Sequence, residues 1–245
     1  MSDSTLPSGA ADVLLMPVRA AALEALTAAR PALASAAMAP GQDRRPGGDE
    51  TEHKRPRPGQ RRVQILQTLA SMLEQPGVER ITTAALAKQL SVSEAALYRH
   101  FASKAQMFEA LIEFIESSVF TLFNQVSERE ESGPQQARRM ATVLLQFGEK
   151  NPGMARVMVG DALVFENERL LQRMNQFFDR IESQLRQGLR ATAEAAGSAT
   201  PTVDANAQAS VLTAFALGRL QRFARSGFKR SPTEHLDLAL RLLVP

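Results

Sequence analysis

Between Thr82 and Lys104 the chain reads TTAALAKQLSVSEAALYRHFASK, and no other stretch so restricts the fold it can enter. Thr82–Leu90 carries the apolar spacing of one short helix, and the polar turn Ser91-Val92-Ser93 interrupts it. A second short helix follows, bearing Glu94, Tyr98, Arg99 and His100, and then Ser103-Lys104. Two short helices joined by so tight a turn form the unit that lays its second helix in the major groove of double-stranded DNA. Thr82 or Thr83 is placed to cap the first helix and Ser93 the second, since a hydroxyl there accepts a free backbone N–H.

The rest of the chain frames this unit. Residues 1–59 read as a disordered extension, rich in alanine up to Ala39 and then in proline, glycine and charge. Only a short helix over Ala20–Ala29 has the propensity to form there, and Met38 is a candidate translation start. Net charge is only +3, yet Lys54, Arg55, Arg57, Arg61 and Arg62 fall in a stretch without an acid. Set just before a helix-turn-helix, they read as an arm that grips phosphate. From Arg61 onward the helical period dominates. Val63, Ile65, Leu66, Leu69, Met72 and Leu73 trace a first helix that stops near Pro76-Gly77.

After Lys104 the pattern continues as helices over Lys104–Val126, Gln135–Lys150, Met154–Phe165, Glu168–Ala195 and Asp204–Phe228. No stretch alternates with period two, so the architecture is all-α, with about nine helices. Residues 60–104 form a three-helix DNA-binding domain, and residues 105–245 form a helical dimerisation and partner-binding bundle. Phe108, Leu111, Ile112, Ile115, Val119 and Leu122 share the apolar face of the long fourth helix. Phe114 falls roughly 110° from the centre of that face. It either packs under a neighbouring helix or stands partly exposed as an aromatic anchor for a partner. Two long helices near the C-terminus, with small residues at Ala214-Phe215-Ala216-Leu217-Gly218, imply a face shared with a second copy. Two-fold symmetry then matches a palindromic DNA site. Arg219, Arg222, Arg225 and Lys229 recur as a basic ridge, either a solvated face or a dock for an acidic segment.

The chemistry these residues offer is recognition. Thr82, Thr83 and Ser93 sit at helix N-termini, where free N–H groups and the dipole favour phosphate. Tyr98, the chain's only tyrosine, suits a phosphate or base contact, and Lys104 a phosphate. Glu94 and Ala95 suit cytosine and a thymine methyl. Arg99 and His100 either join Arg61 and Arg62 on the DNA face or brace the bundle. Catalysis has no support: His53, His100 and His235 are scattered, and no nucleophile elbow, phosphate loop or dinucleotide glycine pattern occurs. No metal or other cofactor is implied. Without cysteine, thiolate metal sites and disulfides are excluded. No apolar run is long enough to span a bilayer, and the chain reads as soluble and cytoplasmic.

Leu97-Tyr98-Arg99-His100-Phe101-Ala102-Ser103-Lys104 resembles the end of the helix-turn-helix in the TetR family of dimeric transcription regulators. Three further segments resemble its nucleoid occlusion branch: 111–116 (LIEFIE), 147–153 (FGEKNPG) and 180–187 (RIESQLRQ). This resemblance implies a nucleoid-associated protein that binds palindromes and blocks assembly of the tubulin-like division protein FtsZ over the chromosome. It also implies that the FtsZ tail docks between the fourth and fifth helices, on Phe114, Val143, Gln146, Phe147, Lys150 and Asn151. Three positions depart from the family pattern. Ser91 replaces a usual turn glycine, and Gln146 and Lys150 stand where glycine and arginine are common. The competing reading is a ligand-responsive repressor with a pocket lined by Met154, Met158, Phe165 and Met174.

Overall fold

The computed structural model describes residues 60–75, 80–130 and 133–244. The expectations for 1–59, including Lys54, Arg55 and Arg57 of the basic arm, lie outside the described residues, as does the stop at Pro76-Gly77. Among the described residues the fold is all-α, with nine α-helices and one 3-10 turn.

Helix α1 (Gln60–Leu73) buries Ile65, Leu66, Leu69, Ala70 and Leu73 on one stripe. Helix α2 (Thr83–Gln89) and helix α3 (Glu94–Tyr98) each start from a capping hydroxyl. Thr82 Oγ1 accepts the Ala85 N–H at 3.1 Å and Ser93 Oγ accepts the Ala96 N–H at 3.3 Å. Between them, Ser91 takes φ 54°, in the left-handed region. The Val92 N–H reaches back to the Ala87 carbonyl at 3.0 Å, closing the helix end in a Schellman arrangement. A turn of that form wants glycine, and here the strain falls on a residue with a Cβ.

Helix α4 (Lys104–Arg129) is capped by Ser103 and runs through the middle of the molecule. It buries more than the single expected stripe, because neighbours lie on several sides of it. Met107, Ala110 and Phe114 are buried along with Phe108, Leu111, Ile112, Ile115 and Val119. Helix α5 (Gly133–Lys150) packs beside it. Helix α6 (Pro152–Met158) follows after the single residue Asn151. The sequence predicts one helix over Met154–Phe165; instead Gly160 turns left-handed at φ 82°, and a 3-10 turn (Asp161–Leu163) follows. Helix α7 (Glu168–Ala195) has the predicted bounds. Helix α8 (Pro201–Arg225) begins earlier than predicted because Pro201, with its fixed φ, occupies the first turn. A short helix α9 (Leu236–Leu243), which sequence reasoning did not foresee, closes the bundle with Leu236 and Leu240 buried.

The DNA-binding unit joins the body through α6. A Cβ at Gly153 would lie 2.2 Å from the Ala70 carbonyl oxygen, so only glycine lets the start of α6 rest on the backbone of α1. Arg156 Nη1 donates to the Leu73 carbonyl at 3.3 Å beside it.

Replacing Ser91 by glycine removes the Cβ from a left-handed residue while leaving the turn's hydrogen bonds intact. Urea denaturation of Ser91→Gly is expected to show a gain of about 0.5–1 kcal/mol.

Candidate nucleic-acid interface and partner-facing helix

Thr82, Ser93, Glu94, Ala95, Tyr98 and Arg99 are all exposed around the start and outer face of α3. Tyr98 leaves 46% of its surface in solvent, a costly placement for an aromatic ring unless something stacks on it or bonds its hydroxyl. Glu94 Oε2 accepts the Thr83 hydroxyl at 2.6 Å, which ties the first turn of α3 to the first turn of α2. That bond sets the angle between the two helices, and it commits one carboxylate oxygen and one hydroxyl to holding the motif together.

Other residues expected at the DNA face are engaged within the protein. Arg62 Nη1 donates to the His100 carbonyl, and its guanidinium lies 3.9 Å over the Phe101 ring. It therefore fastens α1 to the end of α3 instead of projecting as an arm. Arg61 is half-buried and donates to Gln64 at 2.8 Å. His100 is half-buried. Its pKa is lowered from the ordinary 6.5, chiefly by desolvation, then by the positive charges of Arg61, Arg62 and Arg99. Lys104 pairs with Glu166 from the segment before α7, and its ammonium lies 5.6 Å from the Phe108 ring. Glu166 carried no signal in the sequence, since 62 residues separate the partners.

The α4/α5 surface differs from what the resemblance implies. Phe114 is 2% exposed and Phe147 1%, and Val143 is buried with them. Of the two readings of Phe114, the structure supports packing: the ring sits in the core, and α4 packs against α1, α5, α6 and α7. Asn151 is also buried, where its Nδ2 donates to the Phe147 carbonyl at 2.8 Å and finishes the end of α5. Only Gln146 and Lys150 of the six reach the surface. They belong to the solvent-facing row of α5, with Gln135, Arg139 and Thr142 before them. Gln146 Oε1 is buried and has no hydrogen-bond partner among the described residues.

The residues of the competing reading separate by burial. Met154, Met158 and Met174 belong to the core, whereas Phe165 is 59% exposed.

Residues 65–111 match the family model described as bacterial regulatory proteins, tetR family. Residues 135–244 match the SlmA-like model described as tetracyclin repressor-like, C-terminal domain. The nucleoid occlusion factor SlmA of Aliivibrio fischeri (strain MJ11) is 51% identical over 183 residues, covering 74% of this chain and 93% of that protein. SlmA of Vibrio cholerae serotype O1 is 52% identical over 178 residues, covering 72% and 90%. The chain belongs to the SlmA group of the TetR family. Members of this group are DNA-binding regulators and not enzymes. Among solved structures, the TetR-family regulator PfmR from Thermus thermophilus superposes with a TM-score of 0.61 at 20% identity, covering 75% of this chain and 95% of that one. FadR from Bacillus subtilis, in complex with stearoyl-CoA, gives 0.59 at 16% identity, covering 74% and 97%. These two share the fold. No helix among the described residues is long and apolar enough to cross a membrane.

His100 gives this SlmA-group chain a pH signature. Its lowered folded-state pKa means that the unfolded chain takes up the proton more readily. Stability is therefore full above 6.5 and falls as acid takes the pH below that value. Melting temperatures measured on either side of 6.5 are expected to drop on the acid side, and His100→Gln to flatten that drop.

Proposed function

We propose that this protein binds palindromic chromosomal sites as a homodimer and, when bound, blocks assembly of FtsZ over the nucleoid. The observation that carries this reading is the extent of the identity. About half of the residues agree with nucleoid occlusion factors across nine tenths of their length, through the body of the protein as well as the DNA-binding end.

On DNA, the hydroxyls of Thr82 and Ser93 and the exposed Tyr98 and Arg99 take phosphates, while Glu94 and Ala95 face base edges. Arg61 lies at the rim. Arg62, Thr83 and His100 hold the motif in shape. Lys104 reaches phosphate only by leaving Glu166.

The dimer face is the outer side of α8. Val203, Ala207, Val211, Ala214 and Gly218 fall within roughly 80° of one another around the helix. Val203 is 63% and Val211 49% exposed. A Cβ at Gly218 would meet nothing within 4 Å, so packing inside the subunit gives no reason for a mid-helix glycine that costs about 1 kcal/mol relative to alanine. A helix of a second copy crossing closely at that point supplies the reason. Size-exclusion chromatography with light scattering is expected to show a dimer, and Gly218→Arg a monomer.

FtsZ docks on the surface of α4 and α5. Gln146 and Lys150 face the partner, Phe114, Val143 and Phe147 hold the two helices together beneath them, and Asn151 ends the helix that carries the contacts. Lys150 pairs with a tail carboxylate, a contact worth roughly 0.2–1 kcal/mol at an exposed site.

The test is sedimentation of FtsZ polymer with GTP, with and without palindromic DNA. DNA-bound protein is expected to reduce the pellet, and an unchanged pellet in both conditions overturns the proposal. Lys150→Glu is expected to restore the pellet while operator affinity stays intact. Tyr98→Ala is expected to weaken operator binding and leave direct FtsZ binding unchanged.

A further inference from the structure

From Ala205 through Thr233 the chain contains no acidic residue, yet it carries Arg219, Arg222, Arg225, Lys229 and Arg230. Part of this charge has a structural use. Arg222 and Arg225 lie in the last turn of α8, where cations stabilise the helix dipole. Arg219 donates to the Glu234 carbonyl at 2.8 Å and lies 5.0 Å from the Phe215 ring. Lys229 and Arg230 come after the helix has ended, so neither explanation reaches them. Their side chains are exposed and have no ion-pair partner among the described residues.

The backbone that presents these two charges is held at many points. Gly227 and Phe228 are both left-handed, at φ 63° and 65°. Ser226 Oγ accepts the N–H groups of Lys229 and Arg230 at 3.1 and 2.9 Å. Beyond them, the hydroxyls of Ser231 and Thr233 donate to the two carboxylate oxygens of Glu149. Glu149 is on the last turn of α5, next to Lys150. The loop is thus latched onto the end of the partner-facing helix, and it shapes an open hollow lined by Lys229, Arg230, Ser231 and Glu234. Glu234, the first acid after the basic run, has its carboxylate 3.8 Å from its neighbour His235.

We propose that Lys229 and Arg230, positioned by the Glu149 latch, extend the Lys150 contact zone into a second binding surface for an acidic polypeptide segment of the partner docked on α5. The charge sign, the lack of ion-pair partners among the described residues and the anchoring of the loop to Glu149, the residue before Lys150, all point to carboxylates. This inference rests on the FtsZ reading above and adds a second, electrostatic contact to it.

The test uses the full-length protein with full-length FtsZ and with DNA carrying the operator. Lys229→Glu/Arg230→Glu is expected to weaken FtsZ binding about tenfold at low ionic strength, with the difference shrinking at high salt. Operator affinity and melting temperature are expected to stay at wild-type values. Ser231→Ala/Thr233→Val keeps every charge but frees the loop, and it is expected to give a smaller, roughly threefold loss. Wild-type FtsZ affinity in the charge-reversal variant at low salt overturns the proposal. A loss of operator affinity in its place also overturns it, by assigning the charges to DNA phosphate. Full affinity in the unlatched variant removes the positioning role of Glu149. If the wild-type protein itself binds no FtsZ, the underlying reading has failed, and the wild-type control separates that failure from the others.

Discussion

The contact on which the rest of the structure depends is the seating of α6 on α1. The two helices meet backbone to backbone at Gly153 and Ala70, with Arg156 bonding the Leu73 carbonyl alongside. Interiors pack densely and tolerate little extra volume, so a side chain at Gly153 would have to part the two helices. The same residue follows Asn151 and Pro152, which end α5 and start α6. The DNA-binding unit is therefore seated directly against the segment that follows α5. Lys104 and Glu166 make a second bond between the same two regions.

The fold was legible from the sequence where a helix buries a single stripe. The stripe of α1 and the bounds of α7 follow from period alone, and the Ser93 cap follows from chemistry at a fixed position, while the choice between Thr82 and Thr83 falls to Thr82 in the structure. The conformation of Ser91 was not fixed by the sequence, which left either a left-handed serine or an altered turn; the structure has the left-handed serine. Legibility failed where a helix is surrounded. Helix α4 has buried residues on more than one face, so its pattern at 100° per residue marks a centre without marking an edge, and Phe114 fell on the undecided side. Helix α9 is too short for its period to stand out, and Gly160 breaks a run that periodicity alone would continue.

Side-chain partnerships were the least legible part of the candidate site. Sequence spacing identified which residues carry the right chemistry for DNA, but it could not show which of them are already engaged. Arg62 caps the His100 carbonyl, Lys104 meets Glu166 and Thr83 bonds Glu94, and only the last pair lies within a single motif. The Glu149 latch spans more than 80 residues and joins three polar side chains that look ordinary one at a time. Long-range polar pairs leave no periodic trace, because each partner sits on an element whose pattern is set by its own apolar face.

The capping hydroxyls of Thr82, Ser93 and Ser103 each accept one N–H from the helix they start, at 3.1, 3.3 and 3.2 Å. An aspartate would cap about as well, but it would bring negative charge to the face proposed to meet phosphate. A hydroxyl oxygen accepts through a lone pair and keeps its hydrogen to give away. The atom that starts the helix can therefore also hold a nucleic-acid backbone, and neither use weakens the other.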